Sequence, residues 1–395
     1  MNPKHKIINL KTIESPDFKS WFFFVDESPY QSWEHSCYYA FVNIETGKLF
    51  IVKGNTPPKL STMKAKIVQP IPPPGKLFDF SKNKTFKAIT TYDASHDYAV
   101  IISGGIDDEN NWFRYWNDCS AIYSALIDVY NYSPTHIYVL MADGISPGLD
   151  RVLSAAYDGS GNLIYTRDSS PLDLDGDGTN DIQYAATKSN IHTVFDNLSG
   201  VIDTDDHLFI YTIDHGGIES GTDVYLHLWG ETMRDDEFAT ELNKVDAGKV
   251  TITMGQCNSG GFIDDLAGEN RVISTACLAN ENSFSMPDMT YDEYVYHWIS
   301  AISGETPEGG MVNADFNNDG WVSIREAFDY AEAEDTQDET PQYSSTPDNL
   351  GCYVRLSENW LENLSGNSPV CTTGKTFSIE NFPSGATVNW THSNF

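Results

Sequence analysis

Basic residues are scarce in this chain: 24 Lys and Arg stand against 57 Asp and Glu over 395 residues, a formal charge of -33. A phosphate backbone is bound by releasing counterions to a positive surface, so nucleic acid is excluded as a partner class. Long apolar runs are missing as well. None approaches the roughly 20 residues a helical membrane span needs, and the N-terminal stretch lacks an apolar run ending in a small-residue cleavage site. The six cysteines (Cys37, Cys119, Cys257, Cys277, Cys352, Cys371) include no C-x-x-C pair, so they suit neither a disulfide scaffold nor a zinc site. What is abundant is core material: 40% hydrophobic residues, with 20 Phe, 21 Tyr and 9 Trp, which excludes global disorder.

Along the chain the pattern changes twice. Residues 1 to about 68 carry short β-like runs at 21–25 and 38–42, followed by a proline cluster at 69–75 that reads as a stiff linker, so a boundary is expected near 85. From there apolar strands at 98–103, 136–141, 207–213, 250–254 and 271–275 alternate with helical spacing at 116–130 and 185–198. That alternation predicts an α/β domain over 86–355, a doubly wound, mostly parallel sheet flanked by helices. The N-terminal 1–85 is expected to be a β-rich pro-segment or accessory domain. Past 355 the chain turns Ser-, Thr-, Asn- and Gly-rich, with two strand-like stretches at 376–380 and 386–390, so 356–395 reads as a linker and the start of a further β module.

In doubly wound sheets ligands sit beyond the carboxyl ends of the strands. Two strand ends there are polar and glycine-rich: Asp214, His215, Gly216 and Gly217 after the third, then Gly255, Gln256, Cys257, Asn258, Ser259, Gly260 and Gly261 after the fourth. Glycine lets backbone amides approach a substrate carbonyl, and an imidazole can take the proton of a thiol that is otherwise only a few per cent ionised at neutral pH. Each feature alone has a plain reading, a turn histidine or an inert core cysteine. Together they specify a nucleophile and its base.

The order strand-His-Gly and then strand-Cys-x-Ser-Gly resembles the caspase-fold cysteine peptidases, in particular the legumain (asparaginyl endopeptidase) family. The likeness runs over about 98–285 and includes Trp112–Asp118, 136–143, 209–216, Gln256–Gly260 and 272–283. It implies His215 and Cys257 as catalytic residues, with the amides of Gly216 and Cys257 as oxyanion donors. It further implies Arg114 and Ser283 in the substrate pocket, and a protein or peptide substrate. Asn258 stands where legumains usually carry an acidic residue, which shifts the expected preference toward aspartate as well as asparagine. The last 25 residues, from Cys371, resemble the opening hairpin of immunoglobulin-like modules appended to secreted bacterial enzymes. Two alternatives stay open: an Arg/Lys-specific peptidase similar to clostripain or gingipain, with Asp118 or Glu281 as its acidic pocket residue, or an inactive calcium-dependent binding module.

Two acidic loops point to calcium. In the first, Asp173, Asp175, Asp177 and Asp181 alternate around glycine, but the twelfth position is Tyr184. The second meets the twelve-residue pattern fully, with Asp315, Asn317, Asp319, the Trp321 carbonyl, Ser323 and Glu326 as ligands and Gly320 at the turn. A helix is expected to leave this loop at 327–333, whereas no helix enters it. Solvated acidic turns are the plain alternative. Calcium as cofactor favours an extracellular or periplasmic setting. The oligomeric state has no signature in the sequence.

Overall fold

The structure is a computed structural model that describes residues 94–357, except 159–160, 222 and 318, and short strands at 6–7, 13–14, 20–26, 37–43, 49–54, 364–365 and 378–379. The proline cluster, the expected boundary near 85 and the stretch at 386–390 lie outside the described residues. The chain divides into two compact units, one of Met1–Ile71 with Val152–Asp168, the other of Pro72–Arg151 with Ser169–Phe395. In the first unit, Ser20–Asp26, Cys37–Asn43 and Leu49–Gly54 form an antiparallel meander in which Trp21 pairs with Val42 and Phe41 with Phe50.

In the second unit seven strands, β1 (Asp97–Ser103), β2 (Ile137–Met141), β3 (Ile182–Tyr184), β4 (His207–Ile213), β5 (Lys249–Met254), β6 (Arg271–Thr275) and β7 (Gln342–Thr346), make one sheet. Their order is β3-β2-β1-β4-β5-β6-β7, and every pairing is parallel except β6 with β7. Among the described residues six α-helices accompany it: α1 (Phe113–Asp128), α2 (Lys188–Leu198), α3 (Asp235–Leu242), α4 (Phe262–Leu266), α5 (Glu293–Ser303) and α6 (Ile324–Glu334). This is the caspase-like α/β architecture that the resemblance implies.

The sheet explains why its central strands carry apolar residues in succession rather than in alternation. All seven residues of β4 are buried, because each face is covered. Leu208 and Ile210 point into a cluster with Val100, Ile102, Phe195, Phe238 and Met254. The residue between them, Phe209, stacks on Trp298 of α5 with ring centroids 5.9 Å apart. Successive side chains leave a strand on opposite faces, so one strand feeds two cores. Helix α1 is buried at every residue from Phe113 to Leu126, the expectation for a helix enclosed by its neighbours rather than one on a surface.

Helix boundaries differ from the spacing in ways that caps explain. The α1 pattern starts three residues earlier than expected, because Phe113 and Arg114 are themselves buried. The second helix starts three later, since the Thr187 hydroxyl accepts the Asn190 N–H at 3.2 Å and caps it there. Among the described residues, no helix is long and apolar enough to cross a membrane.

Candidate active site

Strand order reverses between β1 and β4, and a crevice opens beyond the carboxyl ends of such strands. Thr212 of β4 pairs with Met254 of β5, and His215 and Cys257 each follow that pair by three positions. Equal offsets on adjacent parallel strands bring the two residues to one level. The chain past His215 then runs against the backbone of Cys257: a Cβ on Gly216 would lie 1.9 Å from the Cys257 carbonyl oxygen. Only glycine fits there, and Gly260 is similarly pressed, its Cβ position being 2.5 Å from the Cys277 carbonyl.

His215 is held by the segment after β1. Its Nε2 lies 3.0 Å from the Asn110 carbonyl and 3.4 Å from the Tyr115 hydroxyl, and the two rings meet edge to face. Burial, then the Arg114 charge, lowers its pKa to about 4, so the imidazole is neutral. A neutral ring at a carbonyl donates to it; that assigns the proton to Nε2 and leaves Nδ1 basic. Asp214, buried beneath at a positive φ of 105°, accepts the His215 N–H at 2.9 Å and the Ser103 hydroxyl at 3.1 Å. Burial pushes its carboxyl up to about 8, against the lowering influence of Arg114 and these hydrogen bonds. The backbone carbonyl of Asn110, a residue the spacing never marked, thus orients the histidine. The neighbouring Asn111 donates its side-chain amide to the Asp150 carbonyl at 2.7 Å.

Cys257 is half-buried, and its thiol pKa is raised by that burial, with hydrogen bonds from Ser283 opposing the rise. Sγ is 3.7 Å from the Ser283 hydroxyl, which donates to it, and 3.8 Å from the Ser283 carbonyl. Asn258 adopts a left-handed backbone at φ 60° and turns its side chain into the following loop, donating to the Ala279 carbonyl at 2.8 Å. That engagement makes Asn258 a tie between the Cys257 turn and the 277–281 loop.

Arg114 is 8% exposed and makes an ion pair with Asp292 at 3.4 Å. Its guanidinium also donates to the Tyr115 hydroxyl at 2.5 Å and covers that ring at 4.2 Å. Asp118 stands one layer behind, with one oxygen accepting the Asp292 N–H at 3.4 Å. Two buried carboxyls facing one guanidinium cannot both ionise cheaply. Burial raises both carboxyls, Asp118 well above the usual range with Asp292 adding to the rise, and Asp292 against the opposing Arg114 charge, so Asp118 keeps the proton while Asp292 pairs with Arg114. Asp292, which the sequence did not mark, is the ion-pair partner of Arg114. Glu281 is occupied elsewhere, accepting from the Thr340 N–H at 2.9 Å, the Thr340 hydroxyl at 3.1 Å and the Leu278 N–H at 3.3 Å.

The two acidic loops differ. Oxygens of Asp173, Asp175 and Asp177 lie within 4.8 Å of one another. Asp173 accepts the Gly176 and Gly178 amides at 2.6 and 3.0 Å, and Asp181, buried, accepts the Leu174 amide at 2.7 Å. Burial and then, against a backbone hydrogen bond, the neighbouring acids hold Asp175 at about 6. In 315–326, Asp315 accepts the Asp319 and Gly320 amides at 3.1 and 2.8 Å, while Asn317 donates to Asp319 at 3.2 Å. Arg355 lies 3.7 Å from Asp319 and covers the Trp321 ring at 4.4 Å. Glu326 accepts both the amide and the hydroxyl of Ser323, closing a capping box at the start of α6. The helix leaving this loop therefore begins three residues before the expected 327.

The α/β sheet thus carries a histidine and a cysteine just past the carboxyl ends of two neighbouring parallel strands. The peptidase C13 family model matches residues 97–347, and the chain belongs to that family: it is a cysteine endopeptidase of the legumain type, with protein as substrate. No curated protein matches the chain. Among solved structures, the crystal structure of protein GSU0716 from Geobacter sulfurreducens is similar at 12% identity over 62% of this chain and 91% of its own, with a TM-score of 0.38. So slight a likeness carries no part of the argument.

Proposed function

We propose that Cys257 is the nucleophile and His215 its proton-transfer partner in a secreted, calcium-stabilised endopeptidase that cleaves after asparagine and aspartate. The observation that carries this reading is the common level of the two residues past the Thr212–Met254 pair, with Gly216 closed onto the Cys257 backbone. The thiol is raised and the imidazole lowered, so the resting pair is neutral. Proton transfer to Nδ1 then accompanies attack of Sγ on the peptide carbonyl. The amides of Gly216 and Cys257 receive the oxyanion, the imidazolium returns its proton to the departing amine, and water hydrolyses the thioester.

For selectivity, Arg114 and Asp292 offer a donor and an acceptor side by side, which matches the two ends of a carboxamide. The negative group that Asn258 fails to supply comes from Asp292. Asparagine is therefore favoured near neutral pH, and aspartate gains as its carboxyl or Asp292 takes a proton at lower pH. With Glu281 tied to Thr340 and Asp118 holding its proton, a pocket for arginine or lysine has less support. The calcium reading rests on the convergent acids of 173–181 and the fully patterned 315–326. Secretion finds support in Cys352, which is disulfide-bonded. A peptide electrophile with asparagine beside the reactive carbon should label Cys257 and leave buried Cys119 and Cys277 unmodified. Labelling elsewhere, or only by an arginine probe, would contradict the assignment.

A further inference from the structure

Between α6 and β7 the chain carries Asp335 and Glu339, and this short stretch is bonded to the loop beside the nucleophile. The Glu339 carboxyl accepts the Phe284 N–H at 3.1 Å. The next residue, Thr340, donates to Glu281. On the other side Glu293 accepts the Thr336 N–H at 2.9 Å and the Gln337 amide at 2.5 Å, and its own N–H donates to the Phe284 carbonyl at 2.9 Å. Residues 281 and 284 are thus pinned from the same stretch. Between them lies Ser283, whose hydroxyl and carbonyl meet Cys257 Sγ.

One oxygen of Glu339 and one of Asp335 are each shut off from solvent, and among the described residues no donor reaches either. Two such acceptors leave a double penalty unless a proton lies between them, in which case one carboxyl donates to the other and both are satisfied. We propose that Glu339, sharing one proton with Asp335, is a positioning residue that holds the 281–284 segment, and through it Ser283, against Cys257. The inference rests on Cys257 being the nucleophile. Glu339 touches neither substrate nor thiol.

The surroundings retain the proton. Burial, then Asp335, then Asp292 raise Glu339 to about 10, and Asp335 is itself raised by burial. From α5, Glu293 adds negative charge at Asp335 and His297 opposes it, although burial lowers the His297 pKa. Tyr294 and Cys277, both facing this pair, are raised and stay neutral. An unfolded glutamate releases its proton near pH 4 to 5, whereas the folded one keeps it, so stability falls as pH rises from there toward 10. Once the proton leaves, two negative charges face each other, and the hold on Phe284 and Ser283 weakens.

The test uses the full-length protein with Glu339→Gln and Glu339→Ala, reading kcat and KM against pH and hydrogen exchange of the 278–286 peptide. Glutamine keeps a donor for Asp335 at every pH and an oxygen for the Phe284 amide. It should retain neutral activity and move the alkaline limb of kcat to higher pH. Alanine should lower kcat at least about tenfold with a smaller change in KM, and should speed exchange of 278–286. Coincident alkaline limbs for Glu339→Gln and wild type, or wild-type exchange in Glu339→Ala, would overturn the proposal. Exchange needs no turnover, so it decides even if Cys257→Ala proves active, a result that would remove the nucleophile reading instead.

Discussion

His215 and Cys257 follow the ends of β4 and β5, two strands joined by ladder hydrogen bonds in the sheet's interior, so the fold itself sets their level. In the 173–181 loop, carboxylates are gathered by nearby backbone amides while their charges oppose one another. The first arrangement is preorganised, with its cost met by the fold. The second stores repulsion that a divalent cation would relieve. A third region, 315–326, sits between them: its last acid already has a structural task in the Ser323 capping box, so part of its order is independent of any ion.

This contrast can be broken or sharpened experimentally, beginning where the effect is largest. Gly216→Ala forces a methyl into the Cys257 carbonyl and displaces one proposed oxyanion donor, so kcat should fall by about 10²- to 10³-fold. Near-wild-type kcat with an unchanged melting temperature would show that the close approach is not catalytic. Arg114→Gln should lower kcat/KM for asparagine substrates by about ten- to a hundredfold, the worth of a charge-assisted hydrogen bond in the transition state. An equal loss on every substrate would instead mean that the change disturbs the Asp292–Asp118 pair rather than selectivity.

The loops should respond more weakly and in opposite senses. Calcium at a hundredfold excess over its Kd should add about 2.7 kcal/mol of stability, read as a rise in Tm. Asp175→Asn should remove part of that rise yet cost nothing in chelator, because it deletes a repelled carboxylate. Glu326→Ala should cost about 1 kcal/mol even in chelator, since it opens the capping box. The pH dependence follows from Asp175: its folded pKa of about 6 is above the usual aspartate value, so calcium-free stability declines as pH rises through 6. Calcium should abolish that decline. Identical calcium-free melting of Asp175→Asn and Glu326→Ala would erase the distinction between the loops.

Much of the sheet was legible because strands covered on both faces are rich in consecutive apolar residues, as at Ala99–Ile102 and Leu208–Tyr211. The edge strands were not. β3 has three residues, and β7, Gln342–Thr346, is polar because it ends the sheet. The antiparallel strands Gly216–Ser220, Asp223–Leu228 and Glu231–Arg234, which start in the glycine pair after His215, went unread. Cys257 and His215 announced themselves through glycine at strand ends. Asn110 contributes a carbonyl, which has no residue signature, and Asp292 and Glu339 reach the site only through folding of distant segments, where spacing carries no signal.

The most direct test of the central claim is peptide hydrolysis by purified Cys257→Ala and His215→Ala, each first shown to melt like wild type. Members of a nucleophile–base unit fail together, so each variant should lose at least about 10³-fold in kcat, and the double variant should lose little more than either alone. Substantial turnover by Cys257→Ala, or losses that multiply in the double variant, would contradict the assignment of these two residues to one catalytic unit.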